Sequence, residues 1–94
     1  MSDDPVHVPI EDQLDLHAFV PRDIPDVVQE YVEEAWRRGF REVRLIHGRG
    51  IGVQRAAVHR ALAAHPRVRQ FRDAAESHLG ATIAELMPPG PETR

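Results

Sequence analysis

The chain has 94 residues, a net charge of −3 and no cysteine. That length supports one domain with a single modest core. The missing cysteines exclude disulfide frameworks and thiolate metal sites, and no apolar run approaches the roughly 18 residues of a membrane span.

Residues 1–12 are acidic, carry Pro5 and Pro9, and lack the apolar stretch of a signal peptide. They read as a flexible or extended lead-in, with Val6, Val8 and Ile10 free to lie along the domain. QLDLHAF (13–19) alternates apolar and polar residues, the pattern of a short strand. On such a strand Asp15 and His17 share one side, and Leu14 and Leu16 share the other. PRDIPD (21–26) opens a helix, with Asp23 at the N-cap, Pro25 in the first turn and Asp26 at the positive end of the dipole.

Ile24, Val27, Val28, Tyr31, Val32, Ala35 and Trp36 then form one helical stripe, which Gly39 closes. REVRLIH (41–47) is the second strand. Val53 to His65 is the second helix, with Ala57, Val58, Ala61 and Leu62 facing inward and Pro66 ending it. VRQFRDA (68–74) and ATIAELM (81–87) are the third and fourth strands. The tail PPGPETR (88–94) cannot build ladder hydrogen bonds and reads as disordered.

The order β-α-β-α-β-β over residues 13–87 gives an α/β fold. Successive right-handed crossovers place both helices on one face of a four-stranded mixed sheet, a two-layer sandwich. Strands one to three run parallel and the fourth runs antiparallel to the third.

Charge is unevenly placed along this order. All twelve basic residues are arginine, and ten lie between Arg37 and Arg72 beside a single acid, Glu42. Residues 1–34 hold ten acids and only Arg22. Such polarity suits one surface that attracts polyanions; a plain solvated face is the alternative.

Chemistry concentrates where the first two strands end. Ligands of open α/β sheets gather outside the carboxyl ends of the strands. Asp15 and His17 lie at the end of the first strand, and His47 ends the second. LIHGRGIG (45–52) follows, with Gly48, Gly50 and Gly52 leading into the second helix. Glycines let a phosphate approach the unpaired N–H groups of a helix start. Arg49 offers a planar fork for phosphate oxygens, and Arg55 a second one a turn later. The spacing is not a dinucleotide fingerprint, and no lysine exists for a P-loop. His59 and His65 read as solvent-facing or helix-capping and receive no role. The residues contain no close-spaced metal motif and require no cofactor, although Asp15, His17 and His47 are compatible with a divalent metal such as Mg²⁺.

At these residues the sequence resembles the Smr (small MutS-related) domain family. LDLHA (14–18) matches its leucine-aspartate-leucine-histidine-glycine motif, with Ala18 in place of the glycine. HGRG (47–50) matches its histidine-glycine-x-glycine motif, and LGAT (79–82) its glycine-rich entry to the last strand. A glycine pair usual before that entry is replaced around Ser77, His78 and Leu79. The resemblance spans residues 13–87. It implies the fold derived above, similar to the C-terminal domain of a bacterial translation initiation factor. It also implies DNA or RNA as partner and, for several members, endonuclease activity in which the first-motif Asp and His matter. Some members sit at the end of MutS-like repair proteins, and others act on mRNA at stalled ribosomes.

Three functions are therefore expected to compete. One is a cytoplasmic endonuclease, cleaving RNA or nicking DNA, with Asp15, His17 and His47 catalytic and Gly48, Arg49, Gly50, Gly52 and Arg55 on the phosphate. Another is a non-catalytic nucleic-acid module. The last is a protein-interaction or small-phosphate-ligand domain.

Overall fold

The computed structural model describes residues 10–48, 52–74 and 80–88. The lead-in before Ile10, Arg49, Gly50, the segment holding Ser77, His78 and Leu79, and the tail after Pro88 fall outside the described residues. The elements are β1 (Gln13–Asp15), α1 (Ile24–Arg37), β2 (Glu42–Ile46), α2 (Val53–Ala63), β3 (Val68–Asp73) and β4 (Ala81–Leu86). Two 3₁₀ turns, Leu16–Ala18 and Pro21–Asp23, join β1 to α1.

The sheet order is β1-β2-β4-β3, with β1 parallel to β2 and β4 antiparallel to both of its neighbours. The strand directions agree with the sequence reading. The order follows from which strands tolerate burial on both faces. ATIAEL in β4 is buried at five of its six positions and takes a central place. VRQFRD in β3 has no buried position and takes an edge.

Helix α1 buries Ile24, Val28, Tyr31, Val32 and Ala35, the expected stripe. Asp23 stands at the N-cap position, but its side chain makes no capping bond. The 3₁₀ turn runs straight into the helix, with the Ile24 N–H bonded to the Pro21 carbonyl. Asp23 itself has helical φ −86°, ψ −12° rather than the extended backbone of a capping residue, and Pro25 has no N–H to cap. At the other end, Gly39 adopts φ +90°, Phe40 N–H reaches the Ala35 carbonyl at 3.0 Å, and Gly39 N–H reaches that of Trp36 at 3.0 Å. This is a Schellman closure, and its left-handed residue favours glycine.

The main core lies between sheet and helices. Val43 and Leu45 of β2 and Ala84 and Leu86 of β4 meet Val28 and Val32 of α1 and Val58 and Leu62 of α2. Ile10 and Trp36 pack at its margin. Trp36 Nε1–H donates to the Met87 carbonyl at 3.1 Å, and the Arg67 guanidinium lies 3.7 Å over its ring. Side chains alternate across a strand, so Ile46, Ala81 and Ile83 form a smaller cluster on the other sheet face, with Ala74. His65 is buried rather than solvent-facing. Its Nδ1 accepts the Arg67 N–H at 3.0 Å and its Nε2–H donates to the Gln29 carbonyl at 3.2 Å, pinning the end of α2 to α1. Among the described residues no helix is long and apolar enough to cross a membrane.

Leu16, fully buried in the first 3₁₀ turn, links this core to the strand ends. Leu16→Ala is expected to cost about 2–5 kcal/mol, read as a lower urea midpoint with unchanged m-value.

Candidate functional site

The site starts where β1 stops. QLDLHAF does not continue as one strand: β1 ends at Asp15, and Leu16–Ala18 curl into a 3₁₀ turn. The cause is local. Asp15 Oδ1 accepts the His17 backbone N–H at 2.9 Å, an Asx-type cap that competes with the sheet ladder. The turn still leaves Leu16 in the core and His17 outside, with the His17 side chain 64% exposed.

The same Oδ1 accepts a second bond from His17 Nδ1 at 2.7 Å. A carboxylate only accepts, so Nδ1 carries the proton and Nε2 of the neutral ring presents a lone pair. These two bonds, the backbone one foremost, hold the Asp15 carboxyl below its ordinary value. Asp15 aligns with Ile46 in the parallel β1–β2 register, so the His17 ring comes to lie beside the chain leaving β2. A Cβ built on Gly48 would sit 3.7 Å from His17 Nε2. The two sequence motifs therefore meet as expected.

His47 behaves differently from His17. It points into the protein and is 6% exposed. Its Nδ1–H donates to the Gly48 carbonyl at 2.9 Å, so in the neutral ring Nε2 accepts, taking the Thr82 hydroxyl proton at 2.9 Å. Thr82 Oγ1 then receives the Nε2–H of His59 at 2.9 Å. Asp73 Oδ1 lies 3.3 Å from the same His59 nitrogen. Arg55 closes the chain with a bidentate grip on Asp73, at 3.1 Å from Nε and 2.6 Å from Nη2.

Each proton in this network is fixed by its neighbour. Sequence reasoning missed three of its members, His59, Thr82 and Asp73. The available signal was Arg55 and His59 at i, i+4, one face of α2, opposite an acid at the end of an edge strand.

The glycine loop is also more committed than its composition suggested. The N–H groups of His47 and Gly48 both donate to the Gly80 carbonyl at 3.0 Å. Gly48 therefore offers clearance rather than a free donor. Gly52, at φ +90°, starts α2, whose first-turn N–H groups lack intrahelical partners by construction. A cleft of ≈ 380 Å³ opens there, lined by Pro21, His47, Gly48, Gly52, Val53, Gln54 and Arg55. A larger groove beside α1 is lined by Glu30, Glu33 and Glu34, the wrong sign for a polyanion. Arg55 borders the cleft with its charge paired to Asp73.

Burial, and next the nearby Arg55 charge, hold His59 below its ordinary 6.5, while the Arg55 fork lowers Asp73. A depressed histidine is neutral in the fold, whereas the unfolded chain takes up its proton first. Its stabilising contribution is complete above 6.5 and is lost as pH falls through the folded value. The urea midpoint is expected to drop from about pH 7 to about pH 5, with that slope flattened in His59→Gln. Gly48→Ala, forced to φ +89°, is expected to cost about 1–2 kcal/mol by the same measurement.

Comparison with known proteins identifies the family and the fold. The Smr domain family covers residues 14–87. The crystal structure of the Smr domain of Thermus thermophilus MutS2 superposes with TM-score 0.75 at 32% identity, over 83% of this chain and 100% of that one. YdaL, a stand-alone small MutS-related protein from Escherichia coli, superposes with TM-score 0.73 at 26% identity, over 83% and 66%. Endonuclease MutS2 of Pelotomaculum thermopropionicum is 40% identical over 79 residues, which are 82% of this chain and 10% of that protein. The chain thus spans about a tenth of that relative's length. By sequence, fold and the meeting of its two motifs, the chain belongs to the Smr domain family.

Proposed function

We propose that this Smr domain binds nucleic acid and cleaves its phosphodiester backbone, with His17 as the proton-transferring group. One observation carries the reading: an exposed imidazole, locked by Asp15 at 2.7 Å, presents its Nε2 lone pair over the bare backbone of Gly48. An exposed histidine without a reacting partner has no need of a fixed tautomer. A general base does, since its lone pair must meet the nucleophile.

In this reading His17 Nε2 takes a proton from an RNA 2′-OH or from a water attacking DNA. As the new P–O bond forms, the P–O bond to the departing sugar oxygen breaks, and that oxygen takes its proton from the His17 imidazolium or from solvent. Asp15 orients the ring and stabilises the imidazolium that forms. The scissile phosphate rests at the start of α2, where the first-turn N–H groups and the helix dipole favour an anion, and Arg49 and Gly50 follow His47 in the chain toward that point. His47 acts through Gly48: its Nδ1–H holds the carbonyl of the residue over which His17 lies. With both ring nitrogens engaged and the ring buried, it serves as a positioning residue. Arg55 contributes through Asp73 and α2 more than through direct phosphate contact.

The names of the relatives support the same class of activity. The concentration of arginine, partly neutralised by pairing with Glu33, Glu34, Asp73 and Glu85, favours non-specific attraction to phosphates. Work in the cytoplasm, on DNA in repair or on mRNA at ribosomes, fits such a module. The described strands present no row of exposed aromatics, so recognition through backbone and shape is favoured over base stacking.

Labelled single-stranded and duplex RNA and DNA, incubated with and without Mg²⁺, provide the test. Wild type is expected to cleave at least one of them. His17→Ala is expected to lose about 10²–10⁴-fold in rate while retaining salt-sensitive binding. Intact substrates throughout, with binding preserved, would reduce the domain to a non-catalytic module; absence of any binding would remove nucleic acid as its partner.

A further inference from the structure

Behind the exposed pair lies a second constellation, to which the cleavage reading gives only positioning roles. Among the described residues, His47, His59 and Asp73 offer donor atoms that all lie within 4.8 Å of one another. They come from three places: the end of β2, the body of α2 and the end of β3.

We infer that His47 Nε2, His59 Nε2 and Asp73 Oδ1 bind a divalent transition-metal ion of the zinc type, clamping α2 to the ends of β2 and β3. Two imidazoles and one carboxylate, with a fourth position left to water, is a donor set that suits such ions. It does not suit Mg²⁺, which favours an oxygen shell. The site is thus separate from any metal acting at the scissile phosphate.

The geometry is close to what the ion demands. Bonds of about 2.0–2.2 Å around a tetrahedral ion put its ligands roughly 3.3–3.5 Å apart. His59 Nε2 and Asp73 Oδ1 already stand at 3.3 Å. His47 Nε2 and His59 Nε2 each stand 2.9 Å from Thr82 Oγ1, which bridges them. The ion replaces that bridge and draws the rings together.

Two ligands already have the outer partners that metal ligands use. The Gly48 carbonyl holds His47 Nδ1–H, which turns the Nε2 lone pair inward. Arg55 holds Asp73 through both oxygens, Nη2 to Oδ2 at 2.6 Å and Nε to Oδ1 at 3.1 Å, which fixes the carboxylate with Oδ1 3.3 Å from His59 Nε2. Protons balance simply. The His59 proton moves from Nε2 to Nδ1 through solvent and the ring stays neutral. The Thr82 hydroxyl turns away from His47, and no group changes oxidation state.

Tag-free protein titrated with Zn²⁺ and with Co²⁺ tests this. We expect one equivalent bound per chain, a visible Co²⁺ spectrum of low coordination number, and a higher thermal midpoint with metal. His59→Gln and Asp73→Asn, checked for folding by circular dichroism, are expected to weaken binding more than about tenfold, and His17→Ala to leave it unchanged. No saturable binding to wild type would overturn the site, as would undiminished binding in both ligand variants. Should either variant unfold, imidazole ¹⁵N shifts of wild type decide: zinc must move the Nε2 resonances of His47 and His59, and their constancy contradicts the site. None of these readouts depends on cleavage, so this inference and the cleavage reading can fail separately.

Discussion

One oxygen organises the exposed end of the sheet. Asp15 Oδ1 accepts both the backbone N–H and the ring Nδ1–H of His17. The first bond ends β1 and starts the 3₁₀ turn. The second chooses the tautomer of the ring. Because the acceptor is charged, both bonds are stronger than neutral ones. The pair is exposed, so water competes for it, and its value lies in orientation more than in stability. The parallel register with β2 then does the rest, bringing the oriented ring to Gly48.

Rigidity behind that ring comes from a different source. Gly80 ties down the His47 and Gly48 amides, and the His47 ring holds the Gly48 carbonyl from below. Thr82, on the central strand, passes the constraint to His59, and Asp73 passes it to Arg55. No described buried side-chain polar atom is left without a partner. A fully satisfied network of this kind specifies one arrangement, because a half-satisfied one would carry a desolvation penalty. The two histidines of the family motifs thus divide the work: His17 faces solvent, and His47 holds the floor beneath it.

Much of this was legible in the sequence, and the reasons differ by element. The α1 stripe and its Gly39 closure repeat at helical spacing, so the pattern alone located them. β4 announced itself by a near-continuous apolar run, although its insertion between β2 and β3 depends on which strand can be buried on both faces, a comparison across elements. The strand expected over residues 13–19 failed after Asp15, because alternation of period 2 cannot show that a side chain will cap its own backbone. Asp15, His17 and Gly48 were found because they lie next to strand ends. His59, Thr82 and Asp73 were not, because each lies inside an element with an ordinary pattern and their meeting is a product of packing. Arg55 reads in the sequence as a second phosphate-binding fork for the same reason: nothing near it in sequence reveals the carboxylate across from it.

The claim on which the site rests is the tautomer of His17. Long-range ¹H–¹⁵N correlation of the imidazole in neutral solution, in wild type and in Asp15→Asn, measures it directly. The structure requires a protonated Nδ1 and a bare Nε2 in wild type, with that preference relaxed in the variant. A ring carrying its proton on Nε2, or one averaging freely between tautomers in wild type, would contradict it.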